Sequence, residues 1–194
     1  HLYVDDILQA VDEIQAITED KAKNFCQVTL KPTVDLEERL KNQRKGTRIV
    51  PLIKASASAY QHDDRLAIVQ SKLTIKAQVI LDAIEQMNTK AKGFKKTGGL
   101  HDSGIFKADG TMVAFSEDVG RHNAVDKVIG RACVDLVDFS SACILTSGRI
   151  AADMILKAVA ARVPVVVSRS IPTTTAFEIA EATGLIADRF SWPS

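Results

Sequence analysis

Cysteine is scarce in this chain and never closely paired. Cys26, Cys133 and Cys143 are an odd number at wide spacing. That argues against a disulfide framework or a zinc site and leaves a reducing, cytoplasmic setting as the default. All three sit in apolar stretches and read as core residues, without the cationic neighbours that lower a thiol pKa. Charge imbalance is also missing. The formal net charge is +1, so bulk electrostatics points to neither nucleic acid nor membrane, and any anion site must be local. No apolar run approaches the roughly 20 residues that cross a bilayer, and no signal-peptide pattern opens the chain. The first residue is His1 rather than Met, so a natural N-terminus upstream is expected and the missing signal weighs little. No Gly-x-Gly-x-x-Gly follows a strand pattern, which removes a dinucleotide dehydrogenase. What is present is a globular composition: 194 residues, 46% hydrophobic and 25% charged, enough for one substantial core or two small domains.

Periodicity divides the chain near residue 70. Leu2 to Ile17 carries apolar residues at helical spacing and predicts a helix. Phe25-Cys-Gln-Val-Thr-Leu30 predicts a strand. Val34 to Leu40 predicts a short helix, Thr47 to Ile53 a strand interrupted by Pro51, and Lys54 to Asp64 a loop. Leu73 to Lys92 is a strongly amphipathic helix pattern. Thr97-Gly-Gly99 reads as a turn. Ser103 to Lys107 and Thr111 to Phe115 flank Ala108-Asp109-Gly110, a hairpin signal. A helix from Arg121 to Val134 follows. Two strand–helix units come next: Ala142 to Thr146 with Arg149 to Ala161, and Val163 to Val167 with Thr173 to Thr183. Near-continuous apolar strands alternating with helices predict a mostly parallel sheet covered on both faces. The expected organisation is a small α+β subdomain over residues 1–70 and a three-layer α/β/α sandwich over residues 71–194.

Ligands of open α/β sheets bind beyond the carboxyl ends of the strands. Three segments fall there: Ser116 to Asn123, Thr146 to Arg149, and Ser168 to Thr175. Each leads into a helix N-terminus, whose free N–H groups and partial positive charge suit phosphate. Arg121, Arg149 and Arg169 add planar donors. Thr97-Gly98-Gly99 and His101 offer a fourth turn. Asp118 would repel an anion and reads as a helix cap or an acceptor from a sugar or base. Plainer readings stand beside these. Ser147 can be a cap, Gly120 and Gly148 can serve turn geometry alone, the arginines can be solvated, and His122 can be a structural residue rather than an acid or base.

Thr97-Gly-Gly-Leu-His101, Glu117-Asp-Val-Gly-Arg-His-Asn-Ala-Val-Asp-Lys-Val-Ile-Gly130 and Thr146-Ser-Gly-Arg149, in this order, resemble the signature blocks of the FdhD/NarQ family of formate dehydrogenase accessory proteins. The resemblance runs from about Leu73 to about Gly184. Upstream, His1-Leu-Tyr-Val-Asp-Asp-Ile-Leu8 resembles the helix that ends the family's N-terminal subdomain, whose preceding strands are absent from this sequence. The resemblance implies a larger domain like the cytidine deaminase fold without its zinc, and a homodimer. It implies sulfur transfer from a cysteine desulfurase to the guanine-dinucleotide form of the molybdenum cofactor, which then enters formate dehydrogenase. GDP would mimic that bound substrate. The pocket it implies comprises Thr97, Gly98, Gly99, His101, Asp118, Gly120, Arg121, His122, Asn123, Ser147, Gly148 and Arg149, with no metal, nucleic acid or membrane involved.

Two departures accompany the resemblance. The family carries a cysteine pair in a loop before the long helix, and Arg48 to Asp64 has no cysteine. The family's C-terminal glycine- and arginine-containing segment is shortened here to Leu185-Ile-Ala-Asp-Arg-Phe190. Either the protein binds and hands over the cofactor without a carrier thiol, or loop residues are missing from the sequence, with junctions near Val50–Pro51 and Ala187–Asp188. A zinc deaminase, suggested by fold analogy, needs His-x-Glu and Pro-Cys-x-x-Cys, and neither occurs.

Overall fold

A computed structural model of the chain describes residues 2–5, 7–45 and 68–189. The expected strand at 47–53, the loop at 54–64 and the Val50–Pro51 position lie outside these residues. The chain falls into two compact units, His1–Arg48 and Ile49–Ser194.

The first unit replaces the expected N-terminal helix with a hairpin. Strand β1 (Ile14–Asp20) pairs antiparallel with β2 (Phe25–Leu30), the strand expected at those residues. Turn chemistry outweighs helical spacing here. Asp20 Oδ1 accepts from the backbone N–H groups of Ala22 and Lys23, each at 3.1 Å, and Asn24 takes a left-handed φ of +50°. Helix α1 (Leu36–Lys45) follows, opened by Asp35, whose Oδ1 accepts from Glu38 N at 2.9 Å. Arg39 clamps Glu13 with two 2.7 Å bonds, which together hold the Glu13 carboxyl at about 2.

The second unit is a five-stranded mixed sheet in the order β4-β3-β5-β6-β7. Its members are β3 (His101–Lys107), β4 (Met112–Asp118), β5 (Ala142–Thr146), β6 (Val165–Ser168) and β7 (Ile186–Arg189). The β3–β4 and β3–β5 pairings are antiparallel, and β5–β6 and β6–β7 are parallel. The expectation of a mostly parallel ladder is thereby corrected. The β3–β4 hairpin inserts one reversed strand, and the other four run the same way. The cause is the tight turn at Asp109-Gly110, where Gly110 takes φ +87° and Asp109 Oδ1 accepts from Thr111 N. Strand β7 was not expected. Ala187 and Asp188, read from sequence as a loop junction, lie inside it in unbroken register with Val166 and Val167.

Helix α2 (Ala77–Lys90) covers one sheet face through Ala83, Ile84 and Met87, which pack on Phe106, Cys143, Leu145, Val165 and Val167. It starts later than its apolar pattern suggests, and α3 (Lys92–Thr97) is a separate short helix. Strand residues alternate faces, so Ile105, Ile144 and Val166 point the other way. That side meets α4 (Arg121–Val134) and α5 (Ala152–Ala160), with α6 (Thr174–Thr183) packed on α5 and β7. The residues of greatest interest end up on one rim. The carboxyl ends of β4, β5 and β6 and the amino end of β3 all lie there, with His101 opposite Asp118 and Ser103 opposite Thr146.

Candidate functional site

The rim brings the Glu117–Gly130 and Thr146–Arg149 blocks into contact. Gly148 follows β5, and the Arg121 stem lies over it. A Cβ built on Gly148 would stand 2.7 Å from Arg121 Cβ and 3.1 Å from its Cδ. Only glycine leaves room for Arg121 in this position. Arg121 Nε is buried and has no hydrogen-bond partner among the described residues. An unsatisfied buried donor costs about 1–3 kcal/mol, and an anionic ligand offsets that cost. Arg121 is also the first residue of α4, whose N-cap Gly120 provides no side-chain cap. Charge and helix terminus therefore coincide.

His122 turns toward α5. Its Nδ1 lies 2.6 Å from Asp153 Oδ2, off the line of a hydrogen bond. Burial pushes its pKa below the usual histidine range, against the pull of Asp153. One turn further along α4, Asp126 pairs with Lys157 of α5 at 2.5 Å, both side chains 5% exposed. This buried bridge fixes the two helices whose N-terminal ends face the rim. The sequence signal for it was a charged residue between the core positions Val125 and Val128.

Asp118 is taken up by the fold. Its Oδ1 accepts from Gly120 N at 2.8 Å and Asn123 Nδ2 at 3.2 Å, and Oδ2 accepts from Lys127 at 2.5 Å. Led by the Lys127 bond, these donors hold its carboxyl at about 2. Asp118 thus shapes the turn before α4, and Asn123 faces Asp118. Glu117, given no role from sequence, accepts from Gly93 N and Phe94 N and so holds the start of α3. Thr97, Gly98 and Gly99 are exposed at the end of α3, with Gly98 left-handed at φ +67°. His101 is half-buried beside Asp118. Ser147 caps no helix. Its Oγ accepts from Asp102 N at 3.0 Å and ties β5 to β3. Arg149 and Arg169 are exposed.

A shallow cleft opens on the α2 side of the same rim, between Met87 and Asn88 of α2, Asp102, Ser147 and Arg169. Asp102 is 3% exposed. Its backbone bonds to Ser147, while its carboxylate has no partner among the described residues. Sequence reasoning passed over Asp102, which lies just before the strand expected at Ser103 to Lys107, whereas the observed strand begins at His101.

Cys133 and Cys143 are core residues as expected, and burial pushes their thiols up to about 11 and about 12. Cys26 departs from the expectation and is exposed on β2, because the two-stranded sheet that carries it leaves that face uncovered. Among the described residues no group of three or more ligating side chains could hold a metal ion. No helix among them is long and apolar enough to cross a membrane.

The family model described as FdhD/NarQ matches residues 1–188. The chain belongs to the FdhD/NarQ family. The sulfur carrier protein FdhD of Staphylococcus haemolyticus is 33% identical over 182 residues, 92% of this chain and 67% of that protein. The sulfur carrier protein FdhD of Saccharolobus solfataricus is 40% identical over 121 residues, 62% of this chain and 47% of its own length. That of Mycobacterium tuberculosis is 38% identical over 133 residues, 68% of this chain and 48% of its own. The chain thus spans about half the length of several curated FdhD relatives it matches. In fold it resembles the crystal structure of a provisionally named formate dehydrogenase accessory protein from Desulfotalea psychrophila. The TM-score is 0.73 at 20% identity, covering 98% of this chain and 70% of that one.

Proposed function

We propose that this FdhD/NarQ member binds the guanine-dinucleotide form of the molybdenum cofactor as substrate and serves its sulfuration for formate dehydrogenase. The rim of the mixed sheet, on a scaffold akin to the cytidine deaminase fold, is the nucleotide site, and the acting form is a homodimer. One observation carries the reading: Arg121, with a buried donor left unsatisfied, lies over Gly148 at the uncapped start of α4. That arrangement suits a phosphate oxygen. Thr97 to Gly99, His101 and Arg149 border the same rim.

The sulfur comes from a cysteine desulfurase by persulfide exchange. A carrier thiolate takes the terminal sulfur, and the donor is left as a thiol. Cys133 and Cys143 are unsuited to this, being buried and held protonated at neutral pH. Cys26 is exposed but lies on the hairpin of the first unit. The lack of an accessible thiol among the described residues of the sheet unit favours a second reading, in which the chain shields the cofactor and hands it over without carrying sulfur.

Titration calorimetry with GDP tests the site. The chain binds GDP, and Arg121→Ala weakens binding by about 1.5–3 kcal/mol, the range for a charge-assisted bond. No binding, or the same affinity in the variant, refutes the reading. Incubation with a cysteine desulfurase and cysteine, followed by intact mass, separates the two functions. A one-sulfur adduct supports sulfur carriage, and its absence supports cofactor binding alone.

A further inference from the structure

The proposed nucleotide site leaves open what charge the rim carries once a ligand is in place, and the contact between α4 and α5 answers it. We infer that His122, oriented by Asp153 of α5, takes up a proton as an anion settles on Arg121, so that ligand binding at the rim is linked to protonation. This rests on the proposed nucleotide site and adds Asp153 to it as a positioning residue.

Three observations carry the inference. First, His122 Nδ1 is buried 2.6 Å from Asp153 Oδ2. Two unprotonated acceptors would repel at that distance, so the carboxylate fixes the hydrogen on Nδ1 and leaves Nε2 as the nitrogen that titrates. The side chain is 31% exposed, and Nε2 has no hydrogen-bond partner among the described residues, so it is open to solvent at the rim. Second, His122 directly follows Arg121 in the first turn of α4, and Arg121 Nε is buried without a partner. An uncompensated guanidinium opposes a second positive charge on the neighbouring imidazole, and a bound anion removes that opposition. Third, the other charges around the ring balance one another. Asp126 of α4 and Lys157 of α5 pair one turn deeper, and their fields on His122 have opposite signs. The strand ends place His101 and Asp118 on the α4 side, where Asp118 is engaged by Gly120, Asn123 and Lys127. Arg149, in the loop before α5, is exposed.

The direction follows from these charges. In the free chain burial, and after it Arg121, hold the imidazole neutral below the ordinary 6.5, against the pull of Asp153. A phosphate on Arg121 brings negative charge to the first turn of α4 and favours the imidazolium. The gain in affinity is complete below the free value and is lost as the pH rises through the bound one, at most about tenfold for each pH unit.

Titration calorimetry with GDP at about pH 6.5, in buffers of different ionisation enthalpy, counts the protons taken up. The terminal phosphate of GDP itself titrates at about pH 6, so the count is read as wild type minus His122→Asn, whose amide N–H can still face Asp153. The wild type is expected to take up about half a proton more than this variant, and Asp153→Asn less than the wild type. Ring NMR of the wild type keeps the test intact should a variant fail to fold: His122 should titrate about one pH unit higher with GDP bound. Equal counts in wild type and His122→Asn, or a His122 titration that GDP does not move, overturn the linkage while the nucleotide site stands. An Asp153→Asn count equal to that of the wild type overturns the role of Asp153. A wild type that binds no GDP overturns the site and this inference together.

Discussion

Removing the Asp126 carboxylate tests whether the rim is held in place by the buried bridge between α4 and α5. Asp126 and Lys157 meet at 2.5 Å with both side chains 5% exposed. Asp126→Ala deletes one charge and leaves the Lys157 ammonium in a site that water does not reach. Breaking one partner of such a pair costs about 3–5 kcal/mol. For a chain of this size each kcal/mol moves the melting midpoint by about 2–4 °C, so the variant should melt about 6–20 °C lower. Removing both charges has a different sign. Asp126→Leu with Lys157→Met leaves no uncompensated ion, and such replacements are neutral or stabilising by about 1–4 kcal/mol.

Urea unfolding of the wild type, Asp126→Leu, Lys157→Met and the double variant, followed by circular dichroism, closes the cycle, with Asp126→Ala measured beside it. A large non-additive term is expected, because the sites are in contact. An Asp126→Ala cost below about 1 kcal/mol would refute the argument, as would a double variant whose loss equals the sum of its singles. Either result would mean that water reaches the pair and that the bridge does not fix α4.

Three further outcomes follow from the same geometry. Gly148→Ala should drive Arg121 off the strand end, since the new methyl would meet the Arg121 stem at 2.7 Å. Calorimetry should show weakened GDP binding, with a stability loss of about 1–3 kcal/mol, and GDP affinity equal to wild type would contradict the packing. Asp118 should titrate at about 2, below the ordinary 3.8. Its contribution to stability is then complete above 3.8 and lost as the pH falls toward 2. An NMR titration should find this value and a higher one in Lys127→Met, and no rise would remove Lys127 as the main cause. Alkylation of the native protein near pH 8 should label Cys26 and spare Cys133 and Cys143, whose thiols burial holds near 11 and 12. Equal labelling of Cys143 would show that the sheet opens.

The sequence was most legible where local signals agreed with long-range packing. Helix α4 runs from Arg121 to Val134 and β5 from Ala142 to Thr146, the bounds expected from their patterns. The β3–β4 hairpin was visible because Asp109-Gly110 has few conformations to choose from. The first unit was misread at Ile14–Asp20, where apolar spacing suited a helix while the Asp20–Asn24 turn and the partner strand Phe25–Leu30 required a strand. Four-residue β7, at a sheet edge with exposed Ile186, carried too little alternation to register. At the site, the residue types of the rim were legible, but their division of labour was not. Asp118 and Asn123 look like ligand groups in the sequence, and in the fold they satisfy each other. Asp102 falls one residue before the strand expected from sequence and is part of it in the fold. Its burial depends on α2, which lies across a different sheet face from α4.

That division has a physical basis in the single reversed strand. Because β3 runs against its neighbours, its first residues sit at the carboxyl ends of β4 and β5. A βα crossover would place a helix start there, and helix starts favour anions. An amino-terminal strand end instead supplies side chains that alternate between the two faces, so Asp102 points toward α2 and Ser103 toward α4. The rim thus joins an anion-attracting half, made by α4 and Arg121, to a half that carries an open carboxylate. A phosphate alone would gain nothing from that carboxylate and would be repelled by it.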